Sequence, residues 1–382
     1  MKRLRDVHVV YIITKLELGG AQKVCLSLFK GFANNTITTT LISGNDGILS
    51  DSVRTLPHTI LLDTLTREVT GNHIIKEIRC FITLVQELKK LRQQHPKLIV
   101  HTHSTKAGIL GRWAAWCAGI TTRIHTVHGF AFHEYQPRLK WLIIYIAELL
   151  TNCITTHFVC VSSADVKTGI RLLPGFSHKH SIIRAAVDSR HFFKPATPLG
   201  HPESSPQPFI FGTIACFKPQ KNLFDLMRAF NSVYQKNPHV RLEVVGDGQL
   251  RPALEQWIEK HHLTDVITLH GWQHDVAPFM QRWHAFTLSS LWEGLPCAVI
   301  EARFLQLPVI CYNTGGIHDV IIDGVNGRLV PKGQWQQLAH ALLEISKNTT
   351  LYNGLRSHVD TLADFDDQEM IRQHVQLYKD YF

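Results

Sequence analysis

Short apolar runs that alternate with helical segments constrain the fold of this chain more than any other feature. In the first half, the helical segments include one that starts near Ala21 and one over residues 72–94. The runs between them have the composition of β-strands and cover residues 7–14, 38–44, 59–63, 98–104, 123–129 and 157–163. Strands that alternate with helices are typical of βαβ units around a parallel sheet. The first half is therefore predicted to form an α/β domain.

A stretch rich in proline and small polar residues, 194–208, interrupts this pattern and has the composition of a linker. The alternation then restarts, with strand candidates at 209–217, 240–248, 266–272, 285–291, 307–313 and 327–333. The sequence thus predicts four segments, namely an N-terminal domain over 1–193, a linker over 194–208, a second domain over 209–365 and a C-terminal amphipathic helix over 366–382. Two doubly wound domains in series place a ligand at the carboxyl ends of their strands, in the cleft between them.

The composition indicates a soluble or peripheral protein. At 382 residues the chain exceeds one comfortable core, so two domains are expected. Its eight cysteines form no Cys-x-x-Cys pair, which favours reduced, buried thiols in a cytosolic protein. The basic and apolar N-terminus resembles a signal peptide but lacks a small-residue cleavage site, so it predicts a first strand. The longest apolar run, 141–150, is too short to span a bilayer.

Charge is divided unevenly along the chain. Residues 1–195 carry 25 Lys and Arg against 12 Asp and Glu, a net charge of +13, whereas residues 196–382 carry a net charge of −4. A basic half indicates a polyanionic partner, and the lack of a nucleic-acid recognition motif favours an anionic membrane surface over nucleic acid. A basic surface without a partner is the alternative. The run 141–150 is apolar nearly all round, which favours a helix buried beside the sheet over one lying on lipid.

The segment 291–307, LWEGLPCAVIEARFLQL, is the richest candidate for function. Glu293 lies in a Glu-Gly loop, and Glu301 lies inside the helix that Pro296 is predicted to open. The N-terminus of that helix offers free backbone N–H groups and a positive dipole end, which favour an anionic ligand such as a diphosphate. Glu301 would reach hydroxyls on the sugar side of such a ligand. A solvated loop glutamate and a capping glutamate are the alternative.

Three further positions stand where α/β domains present ligand-binding groups. Gly19-Gly20 follows the first strand at a helix start, where backbone N–H groups can approach a ligand closely. His128 ends a strand, and Lys221 lies near a helix start, where it is a natural partner for a phosphate. A surface or core histidine is the alternative for His128, because the chain has 24 histidines. The sequence contains no Gly-x-Gly-x-x-Gly and no P-loop, which argues against a nicotinamide-dependent dehydrogenase.

A pair of histidines leaves a metal site open as a hypothesis. His101 and His103 alternate on a predicted strand, so their side chains share one face. Zinc binding by the pair would need further ligands, and the sequence offers no evident third one.

Six segments, taken in chain order, resemble family 4 of the glycosyltransferases, which are retaining enzymes with the GT-B fold. They are Gly19-Gly20-Ala21, VHGF at 127–130, the Lys221 segment, VVGDG, SLWEGLPCAVIEA and TGGIHDVIIDGVNGRLV. HTHSTKAGILGR and TVHGFAFHEYQP are most similar to the branch that builds bacterial capsular, exopolysaccharide or O-antigen chains. The resemblance implies two Rossmann-like doubly wound domains facing a cleft, with the C-terminal helix crossing back to the N-terminal domain.

The resemblance also implies roles in binding a nucleotide-sugar donor. Glu301 would hold the nucleotide ribose, while Glu293 and the backbone of 294–295 (Gly294 and Leu295) would hold the donor sugar. Lys221 and the Gly19-Gly20 turn would bind the diphosphate. No metal or other cofactor is expected, because the lysine, the helix end and the glycine N–H groups would neutralise the leaving diphosphate.

His128 would contact the donor sugar near its reacting carbon. In the front-face mechanism that the resemblance implies, the departing phosphate accepts the proton of the acceptor hydroxyl, so no dedicated base is required. One position departs from the family pattern, because Cys216 stands where an arginine often lies five residues before the lysine. A thiol cannot replace a bidentate guanidinium. Lys218 is the candidate for supplying the missing charge, and reduced donor affinity is the alternative.

These features predict a glycosyltransferase of surface polysaccharide biosynthesis with a nucleotide-sugar donor and a lipid-linked glycan acceptor. Its predicted location is cytoplasmic, peripheral on the inner face of the membrane. A sugar-nucleotide epimerase on the same fold is one alternative, although only Glu17 and Glu134 lie near suitable loops of the first half. A noncatalytic partner subunit is the other alternative, and Cys216 is its only support in the sequence.

Overall fold

The computed structural model describes residues 7–32, 37–66, 74–192, 207–358 and 361–382. The chain divides into two compact units, unit 1 with residues 1–186 and 364–382 and unit 2 with residues 187–363. Unit 1 therefore ends before the predicted boundary at 193, and it includes the C-terminal segment. Most of the predicted linker, 194–206, lies outside the described residues.

A seven-stranded parallel sheet forms the centre of unit 1, in the order β3-β2-β1-β4-β5-β6-β7. Its strands are β1 (Val7–Ile13), β2 (Thr38–Gly44), β3 (Thr59–Leu62), β4 (Lys97–His103), β5 (Thr122–Val127), β6 (His157–Cys160) and β7 (His180–Ile182). The first six match the predicted strands. Strand β7 was not predicted, because its three residues, His-Ser-Ile, carry no apolar run.

Six helices connect these strands, namely α1 (Gly20–Gly31), α2 (Ser50–Arg54), α3 (Ile74–Gln94), α4 (Thr105–Cys117), α5 (Arg138–Ile154) and α6 (Ser163–Leu172). Helices α3 and α4 pack together over the sheet. Cys80, Leu84 and Leu88 recur every four residues on one face of α3 and are buried in the same core cluster as Ala107 and Ala114 of α4. The amphipathic spacing of α3 thus positions it on the sheet.

The sequence-based prediction of a buried helix over 141–150 is wrong for one face of α5. Five large apolar side chains along that face are between 45% and 71% exposed, namely Leu139, Leu142, Ile143, Ile146 and Leu150. The opposite face of α5 combines apolar contacts, such as that of Leu149 with the core, with the buried Glu148, which accepts a 2.7 Å hydrogen bond from the guanidinium of Arg112 on α4. Within the described part of the chain, none of the helices has both the length and the apolar content that crossing a membrane requires.

Unit 2 has a six-stranded parallel sheet in the order β10-β9-β8-β11-β12-β13. Its strands are β8 (Phe209–Ile214), β9 (Val240–Val245), β10 (Ile267–Leu269), β11 (Ala285–Leu288), β12 (Val309–Asn313) and β13 (Gly327–Pro331). Its helices are α7 (Ser189–Phe192), α8 (Leu223–Tyr234), α9 (Arg251–Lys260), α10 (Ala277–Met280), α11 (Cys297–Phe304), α12 (Trp335–Lys347) and α13 (Thr349–Ser357). Every predicted strand of the second half is present. The core is closed by α8 and α12, whose Leu226, Phe230, Leu338 and Leu342 are fully buried.

The C-terminal helix α14 (Asp367–Lys379) belongs to unit 1, as the crossing-back prediction required. Asp366 caps it by accepting a 2.9 Å hydrogen bond from the backbone N–H of Gln368. The helix packs beside α1, and its inner face buries Ile371, His374 and Tyr378.

All eight cysteines are free thiols. Five of them are buried as expected, Cys216 is partly exposed, and Cys117 and Cys153, near the C-terminal ends of α4 and α5, are exposed.

Candidate functional site

The strand order of unit 2 reverses between β8 and β11, and two predicted site residues follow these two strands. Parallel α/β sheets bind ligands outside the carboxyl ends of their strands at such a switch point. Lys221 follows β8 and Glu293 follows β11, and the Lys221 Nζ lies 2.5 Å from the Glu293 Oε1. Their side chains are only 18% and 9% exposed. The switch point of unit 2 therefore contains a largely buried ion pair.

Hydrogen bonds between the two loops hold this pair in place. The amide of Gln220 donates to the carbonyl of Trp292 at 2.8 Å, and the N–H of Leu291 donates to the carbonyl of Gln220 at 2.9 Å. The hydroxyl of Ser289 donates to the carbonyl of Lys221 at 2.9 Å. The backbones on either side of Lys221 and Glu293 are therefore tied to each other.

The loop after β12 forms hydrogen bonds with the loop after β11, which carries Glu293. Gly316 donates its N–H to the carbonyl of Gly294 at 2.6 Å, and the hydroxyl of Thr314 donates to a backbone carbonyl of the β11 loop at 3.0 Å. Gly315 has a φ of 55°, and a Cβ there would lie 2.0 Å from the carbonyl oxygen of Glu293. Only glycine fits both the conformation and the close approach. The second Gly-Gly turn of the sequence thus fixes the backbone beneath Glu293.

Helix α11 begins directly after the loop that follows β11 and carries Glu293. Pro296 is its N-cap, with φ −75° and ψ 113°, so the helix starts one residue later than predicted. Gly294 and Leu295 are buried just before it, and Glu301 is buried in its second turn with 2% exposure. Glu293 is therefore not the solvated loop glutamate of the alternative, and Glu301 lies beyond the first turn, where a capping glutamate would be expected.

Cys216 and Lys218 lie in the loop that leads to Lys221. Both are partly exposed, and the N–H of Lys218 donates to the carbonyl of Cys216 at 2.7 Å. The N–H of Lys221 donates in turn to the carbonyl of Lys218 at 3.0 Å. Lys218 therefore lies one short turn from Lys221, and its compensation for the missing arginine stays a prediction.

Unit 1 has its own switch point, between β1 and β4. Gly19 is the N-cap of α1 and supplies no side-chain cap, so the first N–H groups of that helix, beginning at Gly20, have no side-chain acceptor at the cap. At the same edge of the sheet, the hydroxyls of Thr14 and Ser104 lie 2.8 Å apart and join the ends of β1 and β4.

His128 follows β5 at this edge, and Gly129 behind it turns the chain with a φ of 100°. The Nε2 of His128 lies 2.9 Å from the Nδ1 of His103. Desolvation, with a smaller contribution from His374, lowers the pKa of His128 to about 3. At neutral pH the ring is therefore uncharged and acts as a hydrogen-bonding group. The sequence pattern did not predict the contact with His103.

His101 and His103 lie side by side, as their alternation on a strand predicted. Their rings stack at 4.8 Å on one face of β4. His101 uses both ring nitrogens for hydrogen bonds, with the hydroxyl of Tyr378 at 2.6 Å and the hydroxyl of Thr126 at 2.7 Å. Among the residues that the structure describes, no group of three metal-binding side chains occurs. His101 thus links the sheet to α14.

Comparison with known proteins gives matches along most of the chain. The family model for glycosyl transferases group 1 matches residues 201–359, and the model for glycosyltransferase family 4 matches residues 18–190. The UDP-Gal:alpha-D-GlcNAc-diphosphoundecaprenol alpha-1,3-galactosyltransferase of Escherichia coli is 31% identical over 347 residues, which cover 87% of this chain and 86% of that protein. The capsular polysaccharide biosynthesis glycosyltransferase CapM of Staphylococcus aureus is 23% identical and covers 73% of this chain and 76% of its own.

Solved structures confirm the predicted fold class. Anabaena Alr3699/HepE in complex with UDP and glucose superposes with a TM-score of 0.81 at 17% identity and covers 98% of this chain and 100% of its own. Sucrose-phosphate synthase from Thermosynechococcus elongatus superposes with a TM-score of 0.79 at 20% identity and covers 98% of this chain and 99% of its own. At sequence identities of 17% and 20%, these similarities establish the fold alone.

Proposed function

Because the chain belongs to family 4 of the glycosyltransferases, we propose that it transfers a hexose from a UDP-sugar to a glycan carried on a lipid diphosphate. Its proposed place is surface polysaccharide biosynthesis, and the proposed reaction retains the anomeric configuration and needs no metal ion. The observation that carries the proposal is the buried Lys221–Glu293 pair at the switch point of unit 2, beside the start of α11. The Escherichia coli relative is a galactosyltransferase with UDP-Gal as donor and GlcNAc-diphosphoundecaprenol as acceptor, and HepE was solved in complex with UDP and glucose. Both support a UDP-sugar donor, and the first supports a lipid-linked acceptor.

Unit 2 offers the groups that a UDP-sugar requires. Lys221 is a cation next to the N-terminus of a helix, and both favour the negative charge of a diphosphate. Glu301, buried one turn into α11, has the acceptor oxygens that the two ribose hydroxyls can use. Glu293 and the backbone of Gly294 and Leu295 are assigned to the donor sugar. Glu293 compensates the charge of Lys221, which lowers the cost of burying either group.

The chemical step follows from where charge develops. As the bond between the anomeric carbon and the diphosphate breaks, negative charge grows on the leaving oxygen, where Lys221 stabilises it. The acceptor hydroxyl forms its bond to the anomeric carbon on the same face and gives its proton to the departing phosphate. The configuration is thereby retained without a separate base. In unit 1, the N–H groups at Gly19 and Gly20 are assigned to the diphosphate and His128 to the donor sugar.

A transfer assay tests this function. The protein is incubated with radiolabelled UDP-galactose, UDP-glucose or UDP-N-acetylglucosamine and a synthetic GlcNAc-diphosphate lipid, with and without EDTA. We expect an extended lipid-linked glycan whose new linkage has the anomeric configuration of the donor, at the same rate in EDTA. A changed sugar-nucleotide without transfer would identify an epimerase instead, and no reaction with any donor would favour a noncatalytic subunit. Inversion or loss of activity in EDTA would refute the mechanism.

The outer face of α5 supports a membrane surface as a further partner. It exposes large apolar side chains together with Arg138 and Lys140. The only carboxylate of the helix, Glu148, is buried against Arg112. A helix that presents apolar and basic groups without exposed acid fits the interface of an anionic leaflet. We therefore place α5 at the membrane, where a lipid-linked acceptor would be reached.

A further inference from the structure

His103 lies where it can determine the hydrogen-bonding state of His128. It is the last residue of β4 and is fully buried. The sheet register pairs it with Thr126 of β5, two residues before His128. The 2.9 Å contact between its Nδ1 and the Nε2 of His128 therefore follows from the strand pairing.

Surrounding rings hold His103 in this orientation. The ring centroids of His101, His128 and Tyr11 lie 4.8, 5.3 and 5.9 Å from that of His103. Burial, with smaller contributions from His128 and His374, lowers the pKa of His103 well below its ordinary value. Both partners of the contact are thus neutral imidazoles at neutral pH, so one ring must donate the shared hydrogen bond and the other must accept it.

The second nitrogen of His103 decides which ring donates. Its Nε2 is buried and has no hydrogen-bond partner among the described residues. If His103 accepted from His128, its own proton would sit on this Nε2, as a buried N–H without an acceptor. If His103 donates from Nδ1, the Nε2 holds only a lone pair. A buried donor without a partner is rarer and less favourable than a buried acceptor without one.

We propose that His103 is a positioning residue, which donates from Nδ1 to the Nε2 of His128 and thereby fixes the proton of His128 on its Nδ1. His128 then presents an N–H to an oxygen of the bound sugar donor. This inference rests on the proposed function, because it takes His128 to contact the donor. The proton stays in place during the reaction, and His128 acts as a neutral hydrogen-bond donor.

Two nearly isosteric substitutions separate positioning from packing. His103→Asn places an amide near the position of Nδ1, and an amide can donate. His103→Asp places a carboxylate there, which only accepts and so forces the proton of His128 onto Nε2. His125→Asn is the matched control, because His125 of β5 is a buried histidine like His103 but bonds Thr102 on the other side of the sheet.

The tautomer is measured by long-range 1H–15N NMR on protein labelled with [15N]histidine, with His128→Gln used to assign the signal. We expect His128 to carry its proton on Nδ1 in the wild type and in His103→Asn, and on Nε2 in His103→Asp. His103→Asp should also lower kcat by about 100-fold at unchanged UDP affinity, because His128 no longer presents its N–H to the sugar. It should add an acid limb to the pH profile, because a carboxylate raises the pKa of a neighbouring imidazole. His125→Asn should leave kcat and the tautomer unchanged.

Two results would overturn the inference. One is a wild-type His128 with its proton on Nε2, a measurement that does not depend on how any variant folds. The other is a folded His103→Asp variant with the switched tautomer and wild-type kcat. If the wild type transfers no sugar, the proposed function fails, while the NMR result still decides the role of His103.

Discussion

At the residue scale, the contacts that define the candidate site join positions far apart in the chain. Lys221 and Glu293 are 72 positions apart and meet because β8 and β11 are neighbours in the sheet. His103 and His128 meet through the register of β4 and β5. The residue types at these positions could be predicted from glycine turns, strand ends and family resemblance. Their pairing could not, because it depends on strand order.

Glu293 and His128 should affect turnover more than nucleotide binding, because both are assigned to the sugar. We expect Glu293→Ala and His128→Ala to lower kcat by about 100-fold, as the loss of a preorganised polar group does in other enzymes. The affinity for UDP should change less than turnover does, and for His128→Ala it should stay within about threefold, a change of less than 1 kcal/mol. Steady-state kinetics and calorimetry with UDP measure the two effects. Wild-type kcat in both variants would contradict the assignment.

The position of Cys216 gives a second prediction at this scale. If Lys218 supplies the charge that an arginine often provides, Lys218→Ala should raise the donor KM by roughly 10-fold, the loss of one charge-assisted hydrogen bond. Cys216→Arg should leave activity similar or raise it. Donor titrations of the two variants provide the measurement. Wild-type behaviour of Lys218→Ala would show that the compensation is wrong.

At the element scale, strands were more predictable than the environment of the helices. Each β-rich run of the sequence forms a strand. Strand β7 was not predicted, because an edge strand of three residues is too short to show a hydrophobic pattern. Helix α5 shows the opposite case. Its sequence is apolar nearly all round, and the buried pair Arg112–Glu148 decides which face turns inward. That pair joins two helices, so sequence periodicity could not reveal it.

The exposed face of α5 predicts reversible membrane binding. We expect the protein to sediment with anionic vesicles and to be released by salt, because each basic residue near the leaflet contributes about 1 kcal/mol. Leu142→Asp combined with Ile146→Asp should abolish this binding without loss of folding, since both side chains are exposed. Ile322→Asp is the matched control, an exposed apolar side chain of unit 2. Equal binding to neutral vesicles, or indifference to salt, would contradict electrostatic docking.

At the scale of the whole molecule, unit 1 depends on histidines that are buried in the neutral form. Desolvation is the main cause that lowers the pKa of His8 and His128 to about 3 and that of His374 to about 4. It also lowers the pKa values of His101 and His103 well below 6.5. The strand pattern predicted that His8, His101 and His103 lie on strands, whereas His374 lies on α14. Helix α14 contributes to the burial of His101 through contacts with Tyr378 and His374.

These shifts predict acid sensitivity with a defined sign. The folded-state pKa values lie below the unfolded value of 6.5, so the unfolded chain takes up protons first as the pH falls. Stability should be complete above about pH 6.5 and should fall below it by about 1.4 kcal/mol per pH unit for each such histidine. The hydrogen bond from Arg372 lowers the pKa of Glu369 from 4.5 to about 2, so this carboxylate affects stability only below about pH 4.5.

Urea unfolding of the full chain between pH 5 and pH 8 measures this dependence. His374→Gln, which removes one buried imidazole of α14, should reduce the slope by one proton. A free energy of unfolding that stays constant from pH 7 to pH 5 would be incompatible with the neutral buried histidines.

The central claim is that unit 2 holds the nucleotide through Lys221 and Glu301, and calorimetry with UDP tests it most directly. Lys221→Ala and Glu301→Ala should each weaken UDP binding by roughly 1.5–3 kcal/mol, the loss of a charge-assisted hydrogen bond. Lys30→Ala, an exposed lysine of α1, is the control and should bind UDP as the wild type does. Unchanged UDP affinity in both the Lys221 and the Glu301 variants would contradict the account.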